Sequence, residues 1–75
     1  MKLEKKEVCA GVGKRIREIR LLHGLTLEKL ANDANIDYSQ LSRIELGKIN
    51  TSIYQVYQIA YYLQTPVKEF FKDLK

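Results

Sequence analysis

The stretch from Arg20 to Ser52, RLLHGLTLEKLANDANIDYSQLSRIELGKINTS, constrains the fold most, because two short apolar periodicities in it are closely bracketed by helix start and stop signals. Thr26 is placed to cap the first helix, its side-chain oxygen satisfying a free amide of the opening turn. Leu27, Leu30, Ala31 and Ala34 follow at helical spacing, and Asn35, which tolerates a left-handed backbone, closes the helix. Asp37 caps a second helix in which Leu41 and Ile44 fall on one face, and Gly47 stops it. The pattern predicts two short helices joined by a tight turn and followed by a basic loop, with the rest of the chain as their support.

Before this unit, residues 1–11 are expected to form a frayed or mobile basic arm. Lys2, Lys5 and Lys6 alternate there with Glu4 and Glu7, only Leu3 offers burial up to Glu7, and Gly11 and Gly13 weaken a helix. A solvated tail is preferred to an arm that grips a partner. The first dependable helix is expected from Val12 to His23, burying Val12, Ile16 and Ile19 and ended by Gly24; Leu21 and Leu22 cannot both join that stripe. After the basic loop, Ser52 or Thr51 caps a fourth helix over Ile53–Leu63. Its expected core face is Ile53, Val56, Ile59, Ala60 and Leu63, and four tyrosines cover the remainder. Thr65 caps and Pro66 opens a fifth helix with Val67, Phe70, Phe71 and Leu74 as its apolar stripe. Without repeat, linker or low-complexity tract, residues 12–75 read as one compact all-α domain of five helices.

A chain of 75 residues has room for one small core, so modest stability or help from a partner subunit is expected. The net charge of +4 favours a polyanionic partner, although soluble proteins without one often share it. The single cysteine, Cys9, cannot form an internal disulfide, and no apolar run approaches a membrane span or signal sequence, which suggests a cytoplasmic protein with no membrane partner. Enzyme chemistry finds no support. His23 is the only histidine and falls at a helix end, Cys9 has no metal-ligand spacing, and the carboxylates are scattered singly among lysines. No cofactor, metal or small-molecule effector is expected.

With Leu41 and Ile44 buried, Tyr38, Ser39, Ser42 and Arg43 are left pointing outward from the second short helix, and all four can hydrogen-bond a base edge. Here the chain resembles the lambda-repressor and Cro-like (XRE-type) helix-turn-helix family, which includes small restriction-modification controller proteins. The resemblance rests on Leu25-Thr26, Leu30-Ala31, Ser42-Arg43-Ile44-Glu45 and Gly47-Lys48 and spans roughly Val12 to Phe71. It implies a lambda-repressor-like domain whose helix-turn-helix is formed by helices 2 and 3. It also implies an internal ion pair between Arg20 and Glu45, tying the first helix to the third. The family's base-reading positions fall on Tyr38, Ser39, Ser42 and Arg43. Arg43 is the foremost because a guanidinium pairs bidentately with guanine.

Phosphate contacts are expected from Lys48, Asn50, Thr51 and Ser52 in the loop, from Gln40 along the helix, and from the amides near Thr26. Leu27 departs from the family, which often has a phosphate-bonding glutamine there. Proteins of this type usually bind as twofold dimers, and a homodimer is expected through Tyr57, Tyr61, Phe71 and Leu74, with Phe70 in the monomer core. The expected function is a sequence-specific, duplex-DNA-binding transcriptional regulator on a palindromic operator. A protein-interaction module such as an antitoxin partner is the alternative.

Overall fold

A computed structural model describes residues 2–74 of the chain; Met1 of the expected arm and Lys75 lie outside them. Four α-helices follow in order, α1 (Lys5–Leu22), α2 (Leu27–Ala34), α3 (Tyr38–Glu45) and α4 (Ile53–Tyr62), and then a 3-10 helix (Val67–Phe71). The all-helical architecture is therefore four α-helices and a 3-10 turn, where five helices were expected. The core lies where they meet: Ile16 of α1, Leu30 of α2, Leu41 of α3, Ile59 of α4, Leu63 and Phe70 are sealed from solvent. Each such side chain contributes about 1.5–3 kcal/mol of burial free energy.

α1 starts at Lys5, not Val12, so most of residues 1–11 is helical. Two causes extend it. Glu4 is the N-cap and its N–H donates to the Glu7 carboxylate at 2.8 Å, and Val8 packs against the core. The glycines that argued against this helix have another purpose. A Cβ on Gly13 would fall 2.3 Å from the Ile44 carbonyl oxygen and 2.6 Å from that of Glu45, so the missing side chain lets α1 press on the end of α3. Gly47, at φ +74°, closes α3 from the other side, and a Cβ there would lie 2.5 Å from Ala10 Cα. At the far end of α1, both Leu21 and Leu22 are exposed.

The ion pair is present, with Arg20 7% and Glu45 8% exposed. Arg20 Nε donates to Glu45 Oε2 at 2.7 Å and Nη2 to Oε1 at 3.0 Å, a two-pronged contact, while Nη1 donates to the Leu25 carbonyl at 2.8 Å. One guanidinium thus joins α1, the connection into α2 and the end of α3. Its hydrogen bond to Glu45 raises the Arg20 pKa further above its usual value, against burial, which lowers it. The cation therefore persists throughout the working pH range.

Two expectations about the C-terminal half are corrected. Ile53, assigned to the core face, is 90% exposed. As the first residue of α4 it projects past the edge of the core, which begins one turn later at the half-buried Val56. Pro66 is the extended N-cap of the last helix and not its first residue, and the Thr65 hydroxyl donates to the Leu63 carbonyl at 2.9 Å instead of capping. With three residues per turn in a 3-10 helix, Val67 and Phe70 share the inward face. Phe71 is turned out, and Arg15 Nε fastens the segment to α1 by donating to the Glu69 carbonyl at 2.9 Å.

Two substitutions test this packing. Alanine raises helix propensity over glycine by about 1 kcal/mol, yet Gly13→Ala is expected to lower stability by about 1–3 kcal/mol, the usual cost of overpacking. Urea denaturation reads the difference, and a stabilised variant would show that α1 and α3 are not in close contact. Glu45→Gln leaves the Arg20 cation buried without a counter-charge and is expected to cost about 3 kcal/mol or more. An unchanged urea midpoint would show that the pair contributes nothing.

Candidate nucleic-acid interface

α3 presents its polar face because its apolar positions are spent on the core. Leu41 and Ile44 are buried and Glu45 is turned in to Arg20, so Tyr38, Ser39 and Arg43 are left exposed, with Ser42 half-buried beside them. The first turn is held by Asp37, whose Oδ2 accepts the Gln40 N–H at 3.2 Å. The sharp entry into α3 is made by Asn35 in the left-handed region, φ 56°, and by the Ile36 N–H donating to the Ala31 carbonyl at 2.9 Å. The turn therefore fixes the direction of the exposed face relative to α2.

Hydroxyl caps open the helices before and after α3 in the chain. Thr26 Oγ1 accepts the Lys29 N–H at the start of α2, and Ser52 Oγ accepts the Gln55 N–H at the start of α4, each at 3.0 Å. Capping uses one lone pair of a hydroxyl and leaves its proton free to donate, and the helix N-terminus behind it favours an anion. Lys48 and Asn50 are exposed in the loop between α3 and α4, and the Lys48 N–H is anchored on the Arg43 carbonyl at 2.9 Å. Arg43 and Lys48 make no ion pair among the described residues.

Gln40 and Thr51 sit differently. Both donate to one acceptor, Gln55 Oε1, from Gln40 Nε2 at 2.8 Å and from the Thr51 hydroxyl. They are half-buried and tie α3 and the loop to α4, so they shape the interface from within. Gln55 was not singled out in the sequence. Its signal is the Ser52-x-x-Gln55 spacing, a capping-box pattern, although here the side chain turns to Gln40 and Thr51.

A second, apolar face lies on α4 and the 3-10 helix. Tyr54, Tyr57, Tyr61 and Tyr62 form a ladder with neighbouring ring centroids 5.0–6.5 Å apart, and all are exposed together with Ile53 and Phe71. Beside it runs a groove of about 520 Å³ lined by Val8, Val12, Ile49, Val56 and Val67, with Ile53, Tyr57 and Phe71 at its apolar wall. Leu74, expected on this face, instead lies half-buried over α1: a Cβ on Gly11 would fall 2.7 Å from Leu74 Cδ2.

His23 Nδ1 is 2.9 Å from the Ile19 carbonyl, placing the ring at the end of α1. No group of three His, Cys, Asp or Glu side chains among the described residues is positioned to hold a metal. None of the described helices is long and apolar enough to cross a membrane.

Comparison with known proteins matches this geometry. The profile of a helix-turn-helix family, HTH_3, fits residues 16–70. A protein of Rhodospirillum rubrum named as an uncharacterized transcriptional regulator in the ATPase CF(0) region is 35% identical over 68 residues, which is 91% of this chain and 63% of the relative. The chain thus spans under two thirds of that relative's length. The crystal structure of the restriction-modification controller protein C.AhdI from Aeromonas hydrophila is similar, with 32% identity, a TM-score of 0.81, and coverage of 84% of this chain and 96% of the controller. The wild-type controller protein C.Esp1396I is also 32% identical, with a TM-score of 0.78 and coverage of 87% and 84%. Matched from Ile16 within α1 to Phe70 in the 3-10 helix, the chain belongs to the helix-turn-helix family HTH_3.

Proposed function

We propose that the chain is a sequence-specific regulator of transcription that binds duplex DNA as a twofold dimer, with α3 in the major groove of each half of a palindromic operator. The observation that carries this is the exposed polar face of α3 between two sets of anion-seeking groups. Ser39, Ser42, Arg43 and Tyr38 meet base edges. Thr26 donates to phosphate on one side, and Lys48, Asn50 and Ser52 on the other. Gln40 and Thr51 act through Gln55, holding the loop at the distance from α3 that the DNA backbone requires. The names of the similar proteins, a transcriptional regulator and restriction-modification controllers, support the same function.

The dimer is assigned to the aromatic face. Tyr57, Tyr61 and Phe71 are exposed on it, joined by Ile53, whereas Leu74 contributes to the monomer's own packing. In the proposed dimer the exposed Ile53 and the apolar groove it lines are buried against the same surface of the second copy, as a twofold interface requires. Half-sites would then lie about one helical turn of DNA apart.

Arg43 separates a reader of sequence from a general polyanion binder. A bidentate arginine–guanine pair contributes about 1–3 kcal/mol of discrimination. In selection of bound sites from random duplexes, Arg43→Ala is expected to relax one position in each half-site. Arg43→Lys keeps the charge but not the planar fork, and recovers affinity without selectivity. Identical base preferences for the wild type and Arg43→Ala would remove Arg43 from the base-reading face. For the dimer, sedimentation at micromolar concentration is expected to show two copies for the native chain and one for a Tyr61→Glu, Phe71→Ser double variant. A native chain that sediments as a monomer at every concentration without DNA would rule out this interface.

A further inference from the structure

From the cations that the helix-turn-helix leaves unassigned, we infer that α1 supplies a rail of phosphate contacts, Lys6, Lys14 and Arg17, running beside α3. This rests on the duplex-binding function proposed above and adds a contact surface outside its motif. The close approaches of α1 to the end of α3 locate the rail. Ala10 meets Gly47, and Gly13 meets the Ile44 and Glu45 carbonyls. Residues four apart stack on one helix face. Lys6 and Lys14 therefore lie one turn to either side of Ala10, and Arg17 one turn beyond Gly13. Lys6 is thus set toward the turn that bears Lys48. Arg17 lies three residues before Arg20, whose guanidinium meets Glu45 at the end of α3.

The charges on α1 are sorted in a way that leaves this edge positive. Lys6, Lys14 and Arg17 are all exposed, and none makes an ion pair or side-chain hydrogen bond among the described residues. The acids nearest them on α1 have partners of their own: Glu7 accepts the Glu4 N–H, and Glu18, one turn beyond Lys14, pairs with Arg15 at 3.1 Å. Three unpaired cations on α1, around the turns that meet the end of α3, complement the one regular polyanion that α3 is proposed to enter, the DNA backbone. Their contacts carry no base information, so they raise affinity for every sequence alike.

The test is the salt dependence of duplex binding, read by fluorescence anisotropy on a selected site and on an unrelated duplex. Each neutralised phosphate contributes about −0.9 to the slope of log affinity against log salt. The Lys6→Ala, Lys14→Ala, Arg17→Ala variant is expected to flatten that slope by about two to three units. It should weaken both duplexes by a similar factor of 10 or more, on the order expected for lost phosphate contacts. Its base preferences in site selection should be unchanged, as should its urea midpoint, because alanine sustains the helix at exposed positions. A wild type that binds duplex with a slope the triple variant leaves intact overturns the rail alone. A wild type that binds no duplex even at low salt overturns the rail and the proposed function together.

Discussion

The buried pair of Arg20 and Glu45 is the constraint on which the rest of the arrangement depends, because it holds the end of α3 at a fixed depth against α1. An ion pair sealed from water is not in itself a large net stabiliser, since the cost of removing two charges from solvent offsets most of their attraction. What it supplies is register. A guanidinium that must satisfy two carboxylate oxygens and the Leu25 carbonyl at once can do so at only one rotation and one height of α3. That rotation is also the one that turns Ser39 and Arg43 outward. The same buried contact sets the direction of the exposed face, so the packing of α3 and the orientation of its polar face are two consequences of one geometry.

The glycines complete this constraint from the backbone side. α1 and the end of α3 come close enough that Gly13 meets two carbonyl oxygens and Gly47 meets Ala10. In a domain this small such proximity matters, because few fully buried side chains carry the burial free energy. The 3-10 helix adds Phe70 to the core and closes its end, with Arg15 spanning from α1 to Glu69. The aromatic face of α4 and the adjoining groove are left uncovered, which is where the proposed partner copy finds apolar surface to bury.

The helix-turn-helix was legible in the sequence because its signals are local. Thr26, Asn35, Asp37 and Ser52 cap or close helices through bonds to backbone a few residues away, and Leu30, Leu41 and Ile59 are buried at the helical spacing that marked them. Arg20 and Glu45 became visible through resemblance, since nothing in their spacing alone points to a pair. What remained hidden is set by long-range contact. Gly11 and Gly13 argue locally against a helix, and only α3 and Leu74 lying across them show why the helix survives. Ile53 has the right periodicity for the core but stands one turn beyond its edge. The bonds from Gln40 and Thr51 to Gln55 join three segments, and no single stretch announces them.

Leu27 shows how one position can serve packing at the expense of a contact. Where the family resemblance leads one to expect a phosphate-bonding glutamine, the leucine opens α2 and packs half-buried against the core. The exchange removes one side-chain donor from the interface and adds apolar burial to a core that has little to spare. It leaves the geometry of the helix start intact, because the amides of the first turn stay where Thr26 holds them and the threonine hydroxyl keeps a proton to donate. In the proposed complex, a side-chain contact missing at the start of α2 leaves a larger share of backbone binding to the other proposed donors, Lys48, Asn50 and Ser52 in the loop and the cations along α1.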